Sequence, residues 1–407
     1  MSPIPAKRYL NQSSPPHIST LILLAALPAL AMNMFLPSLP AMSQYFQTDY
    51  SVMQLSVSLY LGVSAILQLL ISPLSDRYGR RPVILWSIFL FLIATLGCLL
   101  APNVELFLLC RMAQAVIATC MALSRSVVRD MVPEAQAASM IGYVTMGMSV
   151  SPMLGPLLGG VLDSYLGWQA NFALMLLAGA VLWLVTWRDL GETTTNRSAS
   201  FSAQMRQYPG LLRSKQFWGY CLSASFSAGA FYAYLGAAAF VGTEVFNMNP
   251  IWMGLSFGSV SMGYMLGNYL SGRFAVRMGI NKMVMAGALL ASFGLGGALV
   301  LFCLGLGSAY VFFGFIMLLG VGNGLTLPSA NAGMLSVRPE LAGSASGLSG
   351  AILIGIGTLL SLLSGTGLTV ENGATTLLLI MLLSSLASVL CVWLVIRRQK
   401  RLGIPQG

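Results

Sequence analysis

Val83 to Ala101 runs for 19 residues without a charge, and Leu377 to Ile396 runs for 20 with only three serines to interrupt it. Segments of that length cross the hydrocarbon of a bilayer, where every backbone N–H and C=O must find its partner within the chain. The alternating pattern of a membrane barrel is absent, so the spans are expected to be helices. Apolar runs bounded by charges or by Gly/Pro punctuation recur near 18–40, 51–73, 83–101, 105–125, 138–161, 169–187, 216–238, 251–272, 282–304, 309–329, 343–365 and 374–396. Twelve spans are therefore expected. A charged fraction of 8% and a mean hydropathy of +0.80 exclude a soluble globular protein, which carries about 25% charged residues.

The charges test this parse independently. With a cytoplasmic N-terminus, the loops on that side hold Lys7, Arg8, Arg77, Arg80, Arg81, Arg125, Arg129, Arg188, Arg197, Arg206, Arg213, Lys215, Arg273, Arg277, Lys282, Arg338, Arg397, Arg398, Lys400 and Arg401, which is all but one of the 21 basic residues. The opposite loops hold none, yet they carry Asp49, Glu105, Asp163, Glu244 and Glu371. A wrong span count would scramble this separation, so the bias predicts two cytoplasmic termini. It also explains the net charge of +10 without nucleic acid.

Function classes narrow in the same way. Eleven carboxylates, a lone His17 and six cysteines scattered through apolar stretches offer neither paired acids nor a metal-ligand cluster. No enzyme chemistry, metal or cofactor is expected. Lys7 and Arg8 precede an apolar run from Leu21 to Met32, as in a signal peptide, but apolar character resumes through Phe35. This run is read as the first retained span.

The longest polar stretch, 188–215, divides the chain into spans one to six (1–187) and seven to twelve (216–407). An offset of 200 aligns Phe46 with Phe246, Met53 with Met253, Leu55 with Leu255, Ser56 with Ser256, Leu70 with Leu270, Arg77 with Arg277 and Gly79 with Gly279, without gaps. Chance pairing of common residues is the plain alternative; the R-x-G shared by the same loop of each half argues against it. Such a repeat in a transporter means two bundles with a site between them at mid-depth.

Between spans two and three, Ser72-Pro-Leu-Ser-Asp-Arg-Tyr-Gly-Arg-Arg-Pro82 resembles the loop signature G-x-L-a-D-r-x-G-r-[RK] of the major facilitator superfamily, with Ser72 at its first glycine. The turn must reverse at Gly79, while Asp76 is placed to cap a helix or pair with an arginine. Asp76, Arg77, Gly79, Arg80 and Arg81 then form a gating loop, unless the arginines only enforce topology. In span four, Arg111 and Gln114 resemble the superfamily's R-x-x-Q-G, with Ala115 for glycine. The resemblance implies proton coupling at Arg111; snorkelling to the outer interface is the competing reading. Arg125, Arg129 and Asp130 at the other end of the span read as a second structural charge cluster.

In span five, Gly142, Ser151, Gly155, Pro156, Gly159 and Gly160 resemble the antiporter motif G-x8-G-x3-G-P-x2-G-G, with Ser151 at its second glycine. Small residues permit close helix approach and Pro156 removes a backbone donor; an ordinary tight crossing is the plain alternative. Together with Met34-Phe-Leu-Pro-Ser-Leu-Pro40, Gly167-Trp168 and Gly343-Ser-Ala-Ser346, these motifs make the chain similar to the Bcr/CflA group of twelve-span drug:proton antiporters. That resemblance implies an all-α polytopic protein of the major facilitator fold with two six-helix bundles in the bacterial inner membrane. It further implies a monomer in the lipid bilayer that exchanges small amphiphilic substrates for protons.

One departure stands out. Relatives typically carry aspartate in an [IM]-D-M-y-L-P context, where this chain has Met32-Asn33-Met34-Phe35-Leu36-Pro37. Asparagine holds no titrating proton, and no other acid falls near the middle of an expected span, so an uncoupled or sodium-coupled metabolite exporter stays open beside antiport. Asp163 is a further coupling candidate by resemblance to phenicol exporters, or an interfacial structural group. Asn33, Tyr60, Gln68, Gln114, Met146, Tyr232 and Tyr234 are the cavity candidates. Tyr232 and Tyr234 lie about 200° apart around a helix and cannot both face it squarely. A receptor or scaffold without transport is the remote alternative.

Overall fold

The computed structural model of the protein describes residues 10–12, 15–132, 134–193, 208–337, 342–366 and 368–402. The described chain is helical throughout. Helix α1 (Ile18–Asn33) leads through a 3-10 turn (Leu36–Ser38) into the short α2 (Leu39–Tyr45), because Pro37 and Pro40 sit at the first positions of the new turns. There follow α3 (Tyr50–Tyr78), α4 (Arg80–Leu99), α5 (Val104–Gln114), α6 (Ala118–Met131), α7 (Glu134–Leu166) and α8 (Gln169–Asp189). After the short α9 (Tyr208–Leu212) come α10 (Lys215–Phe240) with a π-helical turn (Val241–Val245), α11 (Pro250–Met278), α12 (Ile280–Cys303), α13 (Ala309–Val337), α14 (Ala342–Gly365) and α15 (Gly373–Leu402).

Ten helical stretches among the described residues are long and apolar enough to cross a membrane. The other two expected spans, 138–161 and 251–272, fall on α7 and α11, which are 33 and 29 residues long and lie outside those ten.

Helices before residue 193 pack on one another, α1 against α6, α7 and α8, and α4 against α5 and α8. Those after residue 208 do likewise, α13 against α11 and α12, and α10 against α13, α14 and α15. Two helix pairs make most of the junction between the sets, α3 on α14 and α7 on α11, with smaller contacts of α2 and α3 on α10. At the second junction Gly160 faces the backbone of Pro250, and Gly254 faces that of Pro156, with no room for a Cβ at either glycine. Small residues let the two backbones touch where apolar burial gives helices little reason to associate.

The 200-residue offset reappears in the backbone. Gly79 joins α3 to α4 as a one-residue turn at φ 99° and ψ 152°, and Gly279 joins α11 to α12 at φ 80° and ψ 158°. Each N–H donates four residues back, to the carbonyls of Ser75 and Ala275. Positive φ explains why glycine stands at both positions.

Candidate functional site

A cavity of about 230 Å3 lies between the two helix sets. Its wall is drawn from α1, α3, α6 and α7 on one side and α10, α11, α13 and α14 on the other, and it is mostly apolar. Its polar groups include Asn33, Tyr60, Ser64 and Gln68 facing Tyr232, Ser261, Tyr264 and Asn323.

Behind this wall sits Arg111. Its side chain is 1% exposed, so it turns inward rather than snorkelling to the interface. Nη2 donates to the carbonyl of Ala31 at 2.9 Å and Nη1 to Oε1 of Gln114 at 2.7 Å. The rings of Phe35 and Tyr60 each lie 4.2 Å from the guanidinium carbon. The break in α1 explains this geometry. Ala31 belongs to the last turn, where carbonyls lose their intrahelical donors and the helix dipole presents negative charge to a cation. Gln114 continues the chain of bonds to the Thr95 hydroxyl at 2.8 Å, and Thr95 donates to the Phe91 carbonyl at 2.6 Å. Three buried atoms here have no hydrogen-bond partner: Nε of Arg111, Oδ1 of Asn33 and the Tyr60 hydroxyl. The Asn33 amide donates to the Ala29 carbonyl at 2.6 Å, which leaves that oxygen unused.

Of the two tyrosines on α10, Tyr232 lines the cavity, whereas Tyr234 is fully buried against Phe257 and Phe313. On α7, Gly155 and Gly159 abut the Asn33–Met34 stretch of α1, and Ser151 donates to the Ala26 carbonyl at 3.2 Å. Asp163 is half-buried in the last turn of α7, hydrogen-bonded to Ser38, and is not among the hydrogen-bond partners of Arg111. The side chains of Asp76, Gly142 and Met146 lie outside the described residues.

The loop between α3 and α4, expected from sequence to act in gating, is anchored within its own helix set. Arg80 pairs through Nε with Asp130 at 3.2 Å, its backbone N–H donates to Glu192 at 2.9 Å, and it also bonds to Ser75. Arg81 donates to the carbonyls of Leu190 and Trp187 at the end of α8, at 2.8 and 3.1 Å. Arg77 lies against the ring of Tyr78. Asp130, read from sequence as a separate cluster, is thus part of this lock.

Sequence reasoning missed the polar seal at the other end of the molecule, where the acidic loops lie. Gln54 on α3 donates to the carbonyl and hydroxyl of Ser361 on α14, and the hydroxyls of Ser58 and Ser361 lie 3.0 Å apart. Ser364 donates to Ala233 at 3.0 Å, and the Tyr50 hydroxyl to Gly236 at 3.1 Å. All but Ser364–Ala233, which ties α14 to α10, join one helix set to the other. No sequence period marks such partners.

A cavity enclosed by two sets of membrane-length helices and sealed at one end defines a membrane transport protein. A model of the Major Facilitator Superfamily matches residues 21–362. The chain belongs to this superfamily and is a transporter, not an enzyme. It is 30% identical over 348 residues to a chloramphenicol resistance protein of Pseudomonas aeruginosa, covering 82% of this chain and 81% of that one. It is 29% identical over 391 residues to multidrug resistance protein D of Escherichia coli, covering 92% and 94%. A bacterial homologue of the human lysosomal transporter Spinster, solved inward-facing and unoccupied, shares its fold with a TM-score of 0.72 at 18% identity, covering 93% and 96%. These relatives support the motif-level resemblance to the Bcr/CflA group.

Proposed function

We propose that the protein exports small amphiphilic compounds across the bacterial inner membrane by alternating access, with twelve spans, both termini cytoplasmic and one chain as the working unit. Residues 1–187 and 216–407 form two six-helix bundles joined by 188–215, and the sealed end faces outward, so the cavity loads from the cytoplasmic side. The observation that carries this reading is the apolar cavity, with α3–α14 and α7–α11 as its only walls shared by both helix sets among the strongest described contacts. The drug-resistance relatives support this substrate class. Arg111, Gln114 and Asp163 are the proposed coupling residues, with the Asp163 carboxyl as the group able to take up and release a proton, and protons are the proposed counter-ion.

Asn33 favours a second reading, in which export is uncoupled or sodium-driven, because the amide stands where relatives carry an acid. Proteoliposomes loaded with a pH dye separate the two. Proton movement on imposing a gradient of chloramphenicol, in the wild type, is the expected result. Substrate flux without proton movement, with coupling only in Asn33→Asp, establishes the second reading, and absence of flux in both refutes export.

A further inference from the structure

We infer that the cavity selects amphiphiles without a positive charge, neutral or anionic, and discriminates against lipophilic cations. The inference rests on the export reading and narrows its substrate class.

The argument begins with the placement of charge. None of the described cavity-lining residues is a carboxylate. Of the eleven acids in the chain, none stands within seven positions of a lining residue, and the nearest, Asp76, lies eight positions beyond Gln68, about 12 Å along a helix. The fixed charge that does approach the wall is positive. Arg111 is separated from the cavity by the ring of Tyr60, which stacks 4.2 Å from the guanidinium carbon on one face and lines the cavity with the same residue. Its hydrogen bonds go to a neutral carbonyl and a neutral amide, and no carboxylate among the described residues pairs with it. The end of α1 contributes roughly half a negative charge, so a net positive potential remains at the wall.

A charge so placed acts strongly. In a site of low polarity, the half charge left over, some 8 Å from a cation, lowers affinity about sixfold at an effective dielectric of about 20. A cationic ligand would also surrender its hydration without gaining a counter-charge, a loss that neutral ligands avoid. An anionic ligand would regain part of it from Arg111. One unpartnered group fits this preference. The buried Tyr60 hydroxyl is a donor without a partner behind this wall, which favours a ligand that brings an acceptor over one that brings an ammonium group. On the opposite wall Asn323 is held by the Ser227 hydroxyl at 2.6 Å, which fixes its carbonyl oxygen and orients the amide group. Cation–π attraction to Tyr232 or Tyr264 would favour ammonium ligands, but each ring lies across a cavity whose other wall is backed by Arg111.

The test uses three dansyl amides of equal length that end in a hydroxyl, a carboxylate and a trimethylammonium group. Binding to the purified full-length protein in nanodiscs is read by dansyl fluorescence, with counterflow in proteoliposomes alongside. The hydroxyl and carboxylate probes should bind at least about fivefold more tightly than the ammonium probe. Asn33→Asp, which adds a carboxylate at the wall, should narrow or reverse that ratio while leaving the fold intact by circular dichroism. Equal or tighter binding of the ammonium probe by the wild type overturns the inference and leaves the export reading standing. Binding of none of the three, with no counterflow, overturns the export reading and the inference with it.

Discussion

The turn after α3 and the turn after α11 share a backbone and differ in what fastens them. At the first, Arg80 and Arg81 reach Asp130, Glu192 and the terminal carbonyls of α8, and the Arg80–Asp130 pair is 12% and 25% exposed. At the second, the position 200 residues after Arg81 is Asn281, which accepts from the Tyr220 hydroxyl at 2.7 Å and donates to Gln399 at 2.5 Å. Gln399 returns to the Tyr220 hydroxyl at 3.3 Å and closes a buried, uncharged ring among α10, α12 and α15. The difference is one of solvent. Water can replace a partner in the charged lock, so that lock can open at small cost, whereas opening the neutral ring strands buried donors and acceptors. One half carries a releasable fastening and the other a permanent one.

The largest expected effect comes from the permanent side. Asn281→Leu leaves the Tyr220 O–H without its acceptor and Oε1 of Gln399 without its donor, with only the Gln399–Tyr220 bond kept, at about 1–3 kcal/mol for each lost partner. Thermal unfolding in detergent should show a clear drop in Tm, and an unchanged Tm would remove the ring from the account. Next comes the shared turn. Gly79→Ala and Gly279→Ala should each lose about 1–3 kcal/mol through a backbone conformation that only glycine adopts readily, with Gly79→Ala also displacing the Glu192 carboxylate. A loss confined to one of them would mean that the two turns are not equivalent. Smallest is Asp130→Asn, worth within about 1 kcal/mol of stability and less as salt rises. A large, salt-independent loss would make the first lock as permanent as the second.

Much of this comparison was legible in the sequence. The Gly79–Gly279 offset follows from the repeat, and the helix layout follows from apolar runs checked against the basic residues. Helical spacing also excluded Tyr232 and Tyr234 as joint wall residues, though packing against Phe257 and Phe313 was needed to say which one turns away. Arg111 was visible as a charge inside a span, but its direction depends on an open carbonyl at Ala31, and that depends on where α1 breaks. Gln54 and Ser361 were invisible for a simpler reason. They are 307 positions apart, and a lone glutamine or serine in an apolar helix carries no mark of its partner.

The central claim, that α3 and α14 must part at the sealed end during each transport cycle, is tested most directly by tying them together. In a background freed of the six native cysteines, Ser58→Cys with Ser361→Cys places two thiols where hydroxyls now lie 3.0 Å apart. Oxidation should abolish chloramphenicol flux in proteoliposomes, and reduction should restore it. Full flux through the cross-linked protein would contradict alternating access at this seal.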